Sequence, residues 1–89
     1  MSVILDVRTP DEYAAGHLDT AINIDIMGDD FEQAIESLPK GEAIQVYCAA
    51  GVRAGRAAGI LEAAGFGPVE NLGGLGDAAA ATGLPVLTD

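Results

Sequence analysis

Ala43-Ile44-Gln45-Val46-Tyr47-Cys48-Ala49-Ala50-Gly51-Val52-Arg53-Ala54-Gly55 is the stretch whose reading decides the fold. Residues 43–47 form a short apolar run that reads as a buried strand, running straight into Cys48. Ala49, Ala50 and Gly51 are small, so backbone can approach the sulfur closely, and Gly51 can take a positive φ that other residues resist. From about Arg53 to Ala64 the chain reads as a helix with Ala57, Leu61 and Ala64 on one face, and Gly65 is placed to end it. A thiol at a strand end, a small-residue loop and a helix start make one unit. In open α/β sheets ligands bind beyond the carboxyl ends of the strands. Helix N-termini offer unpaired N–H groups and partial positive charge, and a loop curled round the sulfur adds further donors. Thiols in such surroundings have pKa values lowered to roughly 3.5–7.5.

Working outward from this unit, apolar runs keep alternating with amphipathic stretches. Val3-Ile4-Leu5-Asp6-Val7 reads as a buried strand. Thr9, Pro10 and Glu12 then give a helix start, with Pro at the first helical position and a capping box, and that helix ends near Gly16. Ala21-Ile22-Asn23-Ile24 reads as a second strand. Asp29 or Asp30 can cap a helix whose apolar face is Phe31, Ile35 and Leu38, ended by Pro39, Lys40 and Gly41. Pro68 to Leu72 reads as a further strand, and Gly73 to Gly76 as a turn into a weak helix, Asp77 to Ala81. Leu84 to Leu87 reads as an edge strand or coil. The alternation predicts a small three-layer α/β fold, one domain over residues 1–89, with a central, mainly parallel sheet of four or five strands and helices on both faces.

Composition narrows the function classes. The formal charge is −10, from four basic and fourteen acidic residues, which argues against nucleic acid or anionic membranes as partners. Two of the four cations, Arg53 and Arg56, lie within eight residues of Cys48. Cys48 is the only cysteine, which excludes an internal disulfide, a Cys-x-x-Cys redox pair and a cysteine-rich zinc site. No metal or organic cofactor is expected. No apolar stretch is long enough to cross a membrane. The start, Met1 to Asp6, lacks the features of a signal peptide, so a cytoplasmic location is expected, or a periplasmic one if a leader has been removed. A monomer is expected.

Three sets of residues then resemble one family. Asp6-Val7-Arg8, Glu12-Tyr13, Gly16-His17-Leu18 and Ala21-Ile22-Asn23 are similar to the amino-terminal signature of rhodanese domains. Tyr47 to Gly55 resembles their active-site loop, and Asn71-Leu72-Gly73-Gly74-Leu75 their closing segment. The resemblance implies that Cys48 is a nucleophile carrying sulfur as a persulfide. It implies that residues Ala49, Ala50, Gly51, Val52 and Arg53 bind substrate, and that Asp6 and Arg8 support the site. The implied donor is a small anion such as thiosulfate or a persulfide; the acceptor is cyanide or a thiol, including a protein thiol. Two half-reactions through one covalent intermediate predict ping-pong kinetics. Phosphatases that share the fold use a loop one residue longer than Cys48 to Arg53, so the spacing favours sulfur over phosphoryl or arsenate chemistry. The chain also resembles minimal members of the family: it starts at the first signature and has Gly76-Asp77-Ala78 where many members have a tryptophan. The rival reading is a non-catalytic sulfur carrier or partner-binding module.

The remaining candidates have plainer readings. Arg53 can bind an anionic donor or bond the loop carbonyls, and the second is preferred. Arg56, one turn later, is the better candidate for attracting the donor, against a simple solvated position. Arg8 is expected to pair with Asp11 or Glu12, and Asp6 to bond backbone. His17, without clustered ligands, reads as a structural hydrogen-bonding residue. Gly51, Gly55 and Gly59, spaced by four, read as close packing of helix on sheet. The Gly-rich stretch 73–76 lacks the rest of a nucleotide fingerprint.

Overall fold

The computed structural model describes residues 2–89. Four parallel strands, β1 (Ser2–Asp6), β3 (Ile22–Asn23), β4 (Ala43–Cys48) and β5 (Val69–Gly74), form one sheet in the order β3-β1-β4-β5. Side chains alternate across a strand, and here each set meets a different helix layer. Leu5, Val7, Ile44, Val46 and Cys48 point to one face, where they pack with Phe31 and Ile35 and with Ala54, Ala57 and Leu61. Ile4, Tyr47 and Leu72 point to the other, against Ala78 and Tyr13. The first layer is α2 (Phe31–Ala34, continued by a 3-10 turn over Ile35–Ser37) and α3 (Val52–Ala63). The second is α1 (Pro10–Ala15) and α4 (Leu75–Thr82). Fully burying Leu5, Ile35, Ile44 and Leu61 contributes about 1.5–3 kcal/mol each relative to exposure.

The local signals act as their chemistry suggests. Thr9 caps α1 with Pro10 in its first turn, and the capping box with Glu12 is complete. Gly65, at φ +92, follows α3, and the Phe66 N–H donates to the Leu61 carbonyl at 3.0 Å, so the helix closes through a left-handed glycine. Asp30 stands at the start of α2 without a side-chain cap bond.

Several boundaries shift. The helix after Cys48 starts at Val52, and the last helix starts at Leu75, directly from β5 and without an intervening turn. The expected strand over residues 21–24 shortens to Ile22–Asn23. The edge strand expected in the tail exists but lies outside the main sheet: β6 (Val86–Leu87) pairs antiparallel with β2 (His17–Leu18). Two-residue strands are too short for a period-2 pattern to announce them. The glycine spacing 51-55-59 packs on the sheet only in its first part: a Cβ on Gly51 would stand 3.4 Å from Gly73 Cα and one on Gly55 3.4 Å from Asn71 Nδ2, both in β5, whereas nothing lies within 4 Å of one on Gly59. The buried contacts of α3 with the sheet come from Ala54, Ala57 and Leu61.

Candidate active site

The parallel sheet brings the carboxyl ends of β1, β4 and β5 to one edge, and Cys48 is the last residue of β4. Its side chain is fully covered, while Ala49, Ala50 and Val52 in the loop above it are exposed. Gly51 takes φ +94 and turns the chain into α3. That turn aims backbone N–H groups inward: Gly51 donates to Cys48 Sγ at 2.9 Å and Ala54 at 3.3 Å. Burial alone would raise the Cys48 thiol, but the N–H groups of Ala54, Ala50, Gly51 and Arg53 outweigh it and hold the thiol below its ordinary value. The sulfur therefore sits in a nest of neutral dipoles at a helix start, a setting that favours an anion.

The closing segment builds the back of this nest. β5 carries one extra residue, Leu72, between the pairs Val46–Asn71 and Tyr47–Gly73. The bulge turns Gly73 and Gly74 against the loop. A Cβ on Gly74 would overlap the Ala49 carbonyl, and one on Gly51 would stand 3.4 Å from Gly73 Cα. Asn71 Nδ2 donates to the Gly51 carbonyl at 3.0 Å while its Oδ1 accepts from Gly73 N–H at 2.8 Å. Asn71, Gly73 and Gly74 thus shape the loop, whereas the residue order suggested only a strand residue for Asn71 and a turn for the two glycines. The signal available was the pair of adjacent glycines at a strand end, which a helix–strand contact requires.

The Arg53 side chain makes a contact other than the expected one. Its guanidinium donates to both carboxylate oxygens of Glu12, at 2.8 and 2.9 Å, and not to loop carbonyls. Because α1 and α3 cover opposite faces of the sheet, this pair bridges the two layers over the edge that carries Cys48. The bond to Arg53 draws Glu12 down to about 2, and Arg53 lies within electrostatic reach of Cys48 and Asp25. With Glu12 engaged, Arg8 pairs with Asp6 rather than with Asp11 or Glu12. Asp6 accepts from the Arg8 backbone N–H at 2.9 Å and from its guanidinium at 2.7 Å, and Arg8 also donates to the Gly16 carbonyl at 2.6 Å. Arg8 stacks over Tyr47 with its guanidinium carbon 5.5 Å from the ring centre. This cluster lies on the face of the sheet opposite Cys48.

Arg56 lines a groove between α3 and residues 26–33, beside Asp29, Asp30 and Glu32. Among the described residues it is the cation with no ion pair within 4 Å. Three carboxylates share that groove with Arg56, and no residue of the loop 49–53 lines it. His17 has the expected structural role: Nδ1 lies 2.8 Å from the Tyr13 carbonyl and the two rings stack at 3.8 Å. No group of three or more potential metal ligands occurs among the described residues. No helix among them is long and apolar enough to cross a membrane.

Comparison with known proteins points the same way as the loop geometry. The profile of the rhodanese-like domain matches residues 1–78. Thiosulfate sulfurtransferase PspE of Escherichia coli is 41% identical over 76 residues, covering 84% of this chain and 72% of that protein. A sulfurtransferase of Allochromatium vinosum is 32% identical over 85 residues, 96% of this chain and 78% of the relative. Among solved structures, an E. coli rhodanese with anions matches at TM-score 0.81 and 34% identity, covering 100% of both chains. A rhodanese-like domain from Anabaena matches at TM-score 0.85 and 35% identity, covering 100% of this chain and 94% of that one.

Proposed function

Because the chain belongs to the rhodanese-like domain family and is a sulfurtransferase, we propose that it moves sulfane sulfur through a persulfide on Cys48. The observation that carries the assignment to Cys48 is the convergence of the Gly51 and Ala54 N–H groups on its sulfur. Thiosulfate is the proposed donor, by likeness to the E. coli relative named for it. The E. coli rhodanese that shares this fold was solved with anions, which suits a loop lined with N–H donors.

In the first half-reaction the Cys48 thiolate attacks the outer sulfur of thiosulfate. The bond between the two sulfurs breaks, and sulfite leaves with the electron pair. The outer sulfur of the persulfide keeps one negative charge, and the N–H groups of residues 49–54 stabilise it as they stabilised the thiolate. In the second half-reaction an acceptor thiolate or cyanide attacks that outer sulfur, taking it as a persulfide or as thiocyanate and returning Cys48 to the thiolate. Both steps move an anion within one preorganised nest, so little reorganisation is needed between them. Recognition of the donor is assigned to the loop backbone over Ala49 to Arg53, with the Arg53 side chain held by Glu12 and Arg56 contributing only at longer range. With a single cysteine in the chain, discharge goes to an external acceptor, either a small thiol, cyanide or a protein thiol.

The test is intact mass. Incubation with thiosulfate and desalting should add one sulfur atom to the protein, lost on adding cyanide and absent in Cys48→Ala. No gain with thiosulfate, but a gain with a low-molecular-weight persulfide, would replace the donor. No gain with either would move the protein to the partner-binding reading.

A further inference from the structure

Arg53 is the one cation whose backbone belongs to the Cys48 loop, yet both ends of its guanidinium are held by a carboxylate 41 residues away. We infer that Glu12 is the positioning residue that sets the charge preference of the site, by withdrawing Arg53 from an approaching anionic donor. The inference rests on the sulfurtransferase reading above.

The geometry gives the reason. A two-pronged guanidinium–carboxylate pair is a strong, directional contact that fixes the arginine fork. Arg53 cannot turn toward a donor without giving up both bonds. Glu12 is itself held in place by the α1 cap, since the Thr9 N–H and hydroxyl both donate to Glu12 Oε1 at 3.1 Å. The pair is only partly covered, with side chains 25% and 34% exposed, so its net charge near zero is what an ion at the loop encounters. The other two ion-paired cations are committed elsewhere, Arg8 to Asp6 and Lys40 to Glu36. With Arg53 paired to Glu12 and Arg56 set in the groove beside Asp29, Asp30 and Glu32, the local field at Cys48 comes mainly from backbone dipoles, within a chain of net charge −10. Such a site tolerates a dianionic donor but is not tuned to attract one. Glu12 makes the difference between a loop with a free cation and a loop without.

Single-turnover persulfidation of Cys48 tests this, with thiosulfate, which carries two charges, and methanethiosulfonate, which carries one. In Glu12→Gln the Arg53 charge is uncovered. At low ionic strength the second-order rate should rise about tenfold with thiosulfate and about threefold with methanethiosulfonate, because the logarithm of a Coulombic effect scales with donor charge. The gain should vanish near 1 M salt. Arg53→Gln exposes Glu12 instead and should slow thiosulfate by about as much. The double variant Glu12→Gln/Arg53→Gln should be faster than Arg53→Gln, because the uncovered carboxylate is gone, and should lose the extra salt dependence of either single variant. A loss with both donors in Glu12→Gln, or an equal gain with both, would overturn the inference. So would a double variant as slow as Arg53→Gln, which would mean that Arg53 itself contacts the donor. If Glu12→Gln does not fold by circular dichroism, Arg53→Gln against the double variant decides the matter. Failure of the wild-type protein to take sulfur from either donor rejects the sulfurtransferase reading instead.

Discussion

Two neighbouring strand ends show how this small protein divides its polar groups. β1 and β4 pair side by side, with Asp6 opposite Tyr47. Beyond β1 the chain ends in full charges: buried Asp6 and Arg8 satisfy each other, and Arg8 also holds the Gly16 carbonyl. Beyond β4 it ends in a thiol met only by backbone N–H groups. A buried ion pair is closed to exchange, because removing either partner strands the other charge in a poorly solvating interior. A nest of neutral dipoles stays open to whichever anion occupies it, thiolate or persulfide. Charge at the first edge holds α1 and β2 onto the sheet; dipoles at the second are free for chemistry.

The contrast is breakable first at the ion pair. Asp6→Ala should destabilise the fold by about 3–5 kcal/mol, read as a fall in the urea midpoint, because Arg8 is left buried without its partner. A loss under about 1 kcal/mol would mean that Arg8 escapes to solvent and that the pair is no clamp. At the thiol edge the sensitive group is a glycine. Gly74→Ala drives a methyl group into the Ala49 carbonyl, a backbone atom that cannot swing aside. Overpacking of this kind costs about 1–3 kcal/mol, so if the strain falls on the loop Cys48 persulfidation should slow by about 5- to 150-fold. Unchanged rates would show that the loop can shift without losing its donors.

Smaller effects sharpen the same contrast. Asn71→Ala removes one donor to the Gly51 carbonyl and one acceptor for Gly73 N–H. Both bonds are exposed, so each is worth the low end of about 0.5–1.5 kcal/mol, and losing the two predicts a rate loss of about 5- to 10-fold with a matching small fall in the urea midpoint. The pH dependence of Cys48 alkylation should have its midpoint below that of a free thiol, about 8.5, because the loop N–H groups hold the thiol down. A midpoint at or above the free value would mean that burial wins. The smallest expected effect concerns Glu12. Its folded value is lowered to about 2, so its stabilising contribution is complete above the unfolded value of about 4.3 and is lost as pH falls through about 2. Glu12→Gln should therefore flatten the acid limb of the stability profile over that window.

Much of this was readable in residue order. The capping box of Thr9 and Glu12, the apolar strands 3–7 and 43–47, and the glycine after α3 each depend on contacts within a few residues, so a short window contains both partners. The placement of Cys48 at a strand end before a small-residue loop was readable for the same reason. What escaped was the choice among distant partners. Arg8 was expected to meet Asp11 or Glu12, three or four residues away; it meets Asp6, and Glu12 meets Arg53. Gly74 looked like part of a turn and is in fact the floor beneath Ala49.

By itself, then, the sequence determined the alternation of strands and helices, the thiol at the head of a helix and the absence of a second cysteine to resolve a persulfide. Only the tertiary structure decided which carboxylate takes which arginine and which glycine meets which carbonyl. The physical reason is that caps and periodicities are short-range properties of the chain. Pairings across the edge exist only once the order β3-β1-β4-β5 has brought β1, β4 and β5 together and placed α1 and α3 on opposite faces.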